Sequence, residues 1–222
     1  MDVRLDITYK TPKGLETTFS SADMRVEEAI AIAGDLERTG RLKNITFVDH
    51  REQTWTLKQL KKLVAEIETE PHHITVYFDG GFDLQTKVSG LGCAIYYEQN
   101  GKSFRLRKNA KMEALDSNNE AEYAALDLAV QELEELGAHH LPVTFTGDSQ
   151  VVINQLSGEW PTMEKALNSW ADRIEDKLKK LGIDPAYEVV SRKKNQEADH
   201  LASQALNGVA VRSKIELDGK SK

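Results

Sequence analysis

The chain has 222 residues, 40% hydrophobic and 29% charged, which suits a globular protein of one large domain or two small ones. No apolar run approaches the ~20 residues of a membrane span, the first residues carry no basic and apolar leader, and a single cysteine, Cys93, excludes an internal disulfide, so the expected location is the cytoplasm. The net charge of −7 argues against gripping nucleic acid by bulk charge, although Arg105, Arg107, Lys108 and Lys111, and again Arg192, Lys193 and Lys194, form local basic groups.

Residues 1–70 read as a small α+β domain. Val3, Leu5 and Ile7 alternate with polar residues as in a half-buried strand, and a second strand is predicted over 15–19 after the turn signal Pro12-Lys13-Gly14. Val26, Ala29, Ile30, Ala33 and Leu36 keep helical spacing, Ile45, Phe47 and Val48 read as strand, and residues 53–55 pair with them as a hairpin. Leu57, Leu60, Val64 and Ile67 define a last amphipathic helix, giving the order β-β-α-β-β-α. Eleven basic and thirteen acidic residues leave this part no basic surplus, and it carries no chemical motif.

Residues 71–208 read as a second domain, after a linker at 68–72. Strands are expected at 74–78, ending at Asp79, then at 91–97 and 103–107. A long helix over 118–136, a strand over 143–146, helices over 151–156 and 163–181, a strand over 187–190 and a helix over 195–206 follow. Five strands in this order imply an α/β mixed sheet with helices on both faces. Residues 209–222 read as a flexible tail. His72, His73, His139 and His140 read as solvated loop residues, because no cysteine or ordered ligand spacing supports zinc.

Four carboxylates stand out. Ser117 and Glu120 form a capping box, but Glu122 shares one helical face with Leu126, Ala129, Leu133 and Leu136. An acid on that apolar stripe needs a cation, a hydrogen-bond partner or a raised pKa. Asp79 ends an apolar strand before Gly80-Gly81, where the backbone can turn sharply or approach a ligand. Asp148-Ser149 ends another strand and opens a helix, so either side chain can serve as an N-cap. Asp199 shares a helix face with Ala202 and Leu206 and leans inward, and His200 beside it is expected to face away in the helix, so it is at most an outer candidate. In a mixed sheet the ends of adjacent parallel strands share an edge, which would bring Asp79, Asp148 and Glu122 together. Crowded carboxylates repel, and divalent cations relieve this.

Phe78-Asp79-Gly80-Gly81, Asn118-Asn119 with Ala121-Glu122-Tyr123, Asp148-Ser149-Gln150, and residues 195–202 resemble, in order and separation, the motifs of type 1 ribonuclease H. The resemblance implies the ribonuclease H-like fold and cleavage of the RNA strand of an RNA–DNA hybrid, leaving 5′-phosphate and 3′-hydroxyl ends. It implies catalytic, metal-holding roles for Asp79, Glu122, Asp148 and Asp199, with two Mg²⁺ or Mn²⁺ ions. Substrate contacts are implied for Gly80, Gly81, Asn118, Asn119, Ser149, Gln150, Arg192 and Asn195. The chain departs from many members in lacking a Gly-Asn-Pro-Gly-like loop after Asp79, a histidine before the last motif and a tryptophan-rich basic handle. Ser191-Arg192-Lys193-Lys194 runs straight into Asn195, as in a shorter-loop branch, and Arg192 is expected to meet a phosphate. The competing reading is a binding module of the same fold with weak or no catalysis, and residues 1–70 are expected to position hybrid, dock a protein partner or merely stabilise the chain.

Overall fold

Strand β1 (Asp2–Lys10) buries Val3 and Leu5 on one face, as the alternation predicts. It pairs antiparallel with β2 (Glu16–Ser20), the two-residue β3 (Met24–Arg25) and β4 (Leu42–Asp49). Helix α1 (Val26–Arg38), strand β5 (Thr54–Trp55) and helix α2 (Leu57–Thr69) complete the first compact unit, Met1–Thr69. Its sheet order is β2-β1-β4-β5, and Val26, Ala29, Ala33, Phe47 and Leu60 close its core. This is a computed structural model, and it describes residues 1–217.

The second unit begins at Glu70. Strands β6 (His72–Asp83), β7 (Val88–Gln99) and β8 (Lys102–Glu113) form an antiparallel meander. Helix α3 (Asn118–Leu136) is the crossover that a parallel partner requires, and β9 (Pro142–Gly147) then lies parallel to β6. Helices α4 (Gln150–Leu156) and α5 (Lys165–Leu181) lead to β10 (Asp184–Val189), parallel to β9. A single 3₁₀ turn at Arg192–Lys194 precedes α6 (Gln196–Leu206). The result is an α/β mixed sheet with helices on both faces, of order β10-β9-β6-β7-β8-β11, where β11 is Arg212–Leu217. Among the described residues, no helix is long and apolar enough to cross a membrane.

Two expectations are corrected here. The sheet has six strands rather than five, because residues 212–217 pair antiparallel with β8 instead of hanging loose. The physical reason is Asn109, buried on β8, whose amide donates to the carbonyls of Leu201 (3.0 Å) and Val209 (2.9 Å) while its oxygen accepts from the Val211 amide (2.7 Å). That anchors the chain where it leaves α6, and the open edge of β8 takes up the backbone groups that follow. The rest of the expected tail, residues 218–222, lies outside the described residues.

The second correction concerns β6, which runs through Gly80 and Gly81 to Asp83 rather than ending at Asp79. Gly80 is there because α3 packs on the strand backbone: a Cβ at Gly80 would stand 2.1 Å from the Ala121 carbonyl carbon. On the opposite face, a Cβ at Gly90 would stand 2.1 Å from the Ala202 oxygen of α6. These glycines let both helices settle onto the sheet at backbone contact, which brings groups from three layers within reach of one sheet edge.

Candidate active site

The last paired residues of the parallel strands β6 and β9 are Tyr77 and Thr146. Asp79 and Asp148 each lie two residues beyond that pair, so they emerge side by side at one sheet edge. Glu122 reaches the same edge from α3. Its placement begins at the helix start, where Ser117 Oγ accepts the Glu120 amide (3.2 Å). The Glu120 carboxylate in turn accepts the Asp116 amide (2.6 Å), one residue further back than a standard capping box. The inward face of α3 then carries Glu122, Leu126, Ala129 and Leu133, all buried.

Oxygens of Asp79, Glu122 and Asp148 lie within 4.8 Å of one another. Glu122 is only 4% exposed, and its Oε2 is buried with no hydrogen-bond partner. Burial, then the charges of Asp79 and Asp148, push Glu122 up to about 9, against the opposing pull of the Gly80 amide and Arg192. Burial, then Asp148 and Asp199, push Asp79 up to about 7. Three carboxylates this close cannot all ionise without a positive partner, and the donors are hard oxygens of the kind that Mg²⁺ takes.

Asp148 is free for this role because Ser149, not Asp148, caps α4 by accepting the Val152 amide (3.4 Å). Its oxygens instead meet Asn195 Nδ2 (3.1 Å) and Arg192 Nε (3.3 Å). Arg192 is 85% exposed, so it stands between Asp148 and solvent.

Asp199 is not gathered with the other three. It is exposed on α6, whose buried face is Ala198, Leu201, Ala202 and Ala205, so the inward lean expected of it is corrected. Its charge still reaches Asp79. Asn195, expected to contact substrate, is 1% exposed here and donates to the Phe78 carbonyl (3.0 Å) as well as to Asp148. It is a positioning residue, clamping the segment before α6 to β6 and holding Asp148. Gly80 and Gly81 face α3 and Leu206 respectively, so they serve packing. Asn118 and Gln150 are exposed at the first positions of α3 and α4, with Asn119 and Ser149 half-buried beside them.

Sequence reasoning missed a neighbouring cleft of about 320 Å³, lined by Thr75, Tyr77, Tyr96, Lys194, Asn195 and Glu197. There the Tyr96 hydroxyl donates to Glu197, which also pairs with Arg105 (3.0 Å). Nothing local signals this, because Arg105 and Glu197 meet only through the packing of α6 on the sheet.

Residues 77–205, more than half of the chain, match the family described as reverse transcriptase-like. The chain belongs to that family. Its fold is that of type 1 ribonuclease H, in keeping with the four-motif resemblance. The RNase H1 of the halophilic archaeon Halobacterium salinarum superposes with a TM-score of 0.52 at 25% identity, covering 61% of this chain and 98% of that one. LC11-RNase H1, from a compost metagenome and solved in complex with an RNA/DNA hybrid, superposes at 0.55 with 25% identity, covering 61% and 97%. Over nearly the full length, an uncharacterized protein of Bacillus subtilis, YpeP, is 46% identical across 205 residues, 92% of this chain and 90% of that protein. The two ribonucleases thus cover only part of this chain, whereas the similarity to YpeP, at 92%, extends into both units.

Proposed function

We propose that this reverse transcriptase-like protein is a metal-dependent endonuclease that hydrolyses the RNA strand of RNA–DNA hybrids. The observation that carries the reading is the convergence of Asp79, Glu122 and Asp148 with one buried Glu122 oxygen left without a partner. A cluster of hard, crowded oxygen donors with an orphaned atom fits divalent cations. Asp79, Glu122 and Asp148 would hold them, and Asp199, exposed on α6, would add its charge nearby. Held there as a pair, Mg²⁺ or Mn²⁺ would supply a water of lowered pKa and stabilisation of the leaving oxygen.

The chain's own residues do the remaining work. Asn195 keeps Asp148 in register with Asp79, and the Gly80 amide holds the Glu122 carboxylate. Asn118, Asn119 and Gln150 offer amide groups to the hybrid from the first turns of two helices, and Ser149 keeps the second of these turns capped. Arg192 supplies an exposed guanidinium beside Asp148 for a phosphate. Contacts to 2′-hydroxyls and duplex shape would set RNA apart from DNA. The proposed location is the cytoplasm.

Purified protein should cut a labelled RNA–DNA hybrid in Mg²⁺ or Mn²⁺, leaving 5′-phosphate ends, and should spare duplex DNA. No cleavage under either metal removes the nuclease reading. Tight, salt-sensitive hybrid binding without turnover would instead support a binding module, a reading favoured by Arg192 already engaging Asp148.

For the first unit we propose a positioning role on the hybrid. Deleting residues 1–69 should then weaken hybrid binding about tenfold, or ~1.4 kcal/mol, while the cleavage rate at saturating substrate stays close to that of the full chain. An unchanged dissociation constant eliminates the role.

A further inference from the structure

At the other end of β6, two adjacent histidines face the same way. Successive residues of a regular strand point to opposite faces. Here the register of β6 against β7 shifts between His72 and Thr75, and His73 takes a left-handed φ of 51°. The bulge turns both rings to one side, edge to face, with centroids 4.9 Å apart. Left-handed backbone is uncommon for a residue with a side chain, and a strained position of this kind is a reason to look for a function.

Cross-strand register supplies a third group. His72 lies opposite Glu98, at the end of β7. Glu98 Oε2 stands 3.2 Å from His73 Nδ1 and 3.8 Å from His72 Nε2, and one donor atom from each of the three residues falls within 4.8 Å of the others. A tetrahedral ion with ligand bonds of about 2.0–2.1 Å has ligand–ligand edges of ~3.3 Å, so this triangle needs only small side-chain rotations to close.

The surroundings of His72 favour one tautomer of its neutral ring. Its Nδ1 sits 2.9 Å from the Glu70 carbonyl oxygen, which can only accept, so Nδ1 carries a hydrogen. On the neutral ring the lone pair is then on Nε2, the atom that faces Glu98. A lone pair and a carboxylate repel unless a proton or a cation stands between them. A ring whose far nitrogen donates to a backbone carbonyl is also the usual way a metal-binding histidine is oriented.

We propose that His72, His73 and Glu98 form a binding site for a transition-metal cation of the Zn²⁺ class, with the fourth position open to water. Two imidazoles and one carboxylate suit Zn²⁺ and disfavour Mg²⁺, which prefers oxygen ligands alone. The site is separate from the carboxylate cluster: Asp79 lies seven residues further along the same strand, roughly 20 Å away. Bound metal would pin the first residues of β6 to the last of β7, and so stabilise the start of the second unit by mass action.

The test uses the full chain with Co²⁺ as a visible reporter and excess Mg²⁺ present to fill the carboxylates. The expected result is one Co²⁺ per chain with strong visible absorption, displaced by one equivalent of Zn²⁺. His72→Ala and His73→Gly should each weaken binding at least tenfold, and glycine suits the positive φ at position 73, so that variant keeps its fold. A cooperative melt at the wild-type temperature in metal-free buffer confirms folding, and hybrid cleavage should not change. Absorption that persists in both histidine variants, or that disappears on Glu122→Gln instead, overturns the proposal. So does the absence of any Co²⁺ absorption in the wild type. None of these outcomes depends on whether the protein cuts nucleic acid.

Discussion

Glu122→Gln should abolish hybrid cleavage and, in metal-free buffer, make the protein more stable than the wild type. The two effects have one origin. Glu122 is buried against Asp79 and Asp148, and its carboxyl is pushed up from an ordinary value of 4.5 to about 9. The folded state therefore holds a proton that the unfolded chain releases. For a group raised in this way, the stability it contributes is full below pH 4.5 and is lost as pH rises toward 9. Asp79, raised from 3.8 to about 7, adds a loss of the same sign over a lower window.

Glutamine cannot ionise, so the variant escapes the Glu122 part of this loss. Its amide oxygen can keep the Gly80 hydrogen bond, and its amide nitrogen can donate to the acids beside it. At pH 8 a gain of a few kcal/mol corresponds to a melting temperature higher by roughly 5–10 °C, shrinking toward zero near pH 4.5. Divalent ions should reverse the order, because they stabilise the wild type by binding and the variant has lost a ligand. Losing one metal-holding carboxylate removes several kcal/mol of transition-state stabilisation, on the order of 10³-fold in rate. Thermal melts at pH 5 and pH 8, with and without Mg²⁺, beside a cleavage assay, check both halves. A variant less stable than wild type at pH 8 without metal would show that the acids are not in conflict.

Gly80→Ala should cost the fold more than any ordinary surface change and should take activity with it. The new methyl would lie 2.1 Å from the Ala121 carbonyl carbon and 2.3 Å from the Glu122 nitrogen, both helix backbone that cannot rotate aside. Helix α3 must lift off β6, and Glu122 moves with it. Overpacking of this kind costs about 1–3 kcal/mol and more where backbone is the obstacle. Gly81→Ala is the control, because its Cβ would meet only Leu206 Cδ1 at 3.2 Å, the end of a flexible side chain. Denaturant melts should show a drop of at least ~3 kcal/mol for Gly80→Ala and under ~1 kcal/mol for Gly81→Ala. Equal losses at the two positions would mean that helix contact is not what Gly80 is there for.

The same glycines mark where pattern reading stops. Asp-Gly-Gly after an apolar strand looks like a turn, because glycine's local signal is conformational freedom. Its actual use at Gly80 is the missing side chain under α3, and no neighbour in sequence reports that. Strand β11 was hidden for a related reason. In Arg212–Leu217 only Ser213 and Leu217 are even half-buried, so the short alternation of Ile215 and Leu217 with charged neighbours marks no buried face, and the segment is held by backbone pairing to β8 and by Asn109. Asn195 offered a motif but not its burial, and Glu98 became the partner of His72 only through strand register.

Periodicity was enough for the helices, most of the strands, the mixed sheet and the buried face of α3 that carries Glu122, since those follow from interactions within a few residues. Chain order also placed Asp148 just past the end of a strand, whereas Asp79, read as a strand end, lies within β6. Their meeting required β6 and β9 to lie parallel and adjacent, and the approach of Glu122 required a helix seated on bare glycine backbone. Those are contacts between residues far apart in the chain. Their geometry depends on how layers pack, and it sets the distances, the burial and the proton affinities on which the chemistry rests.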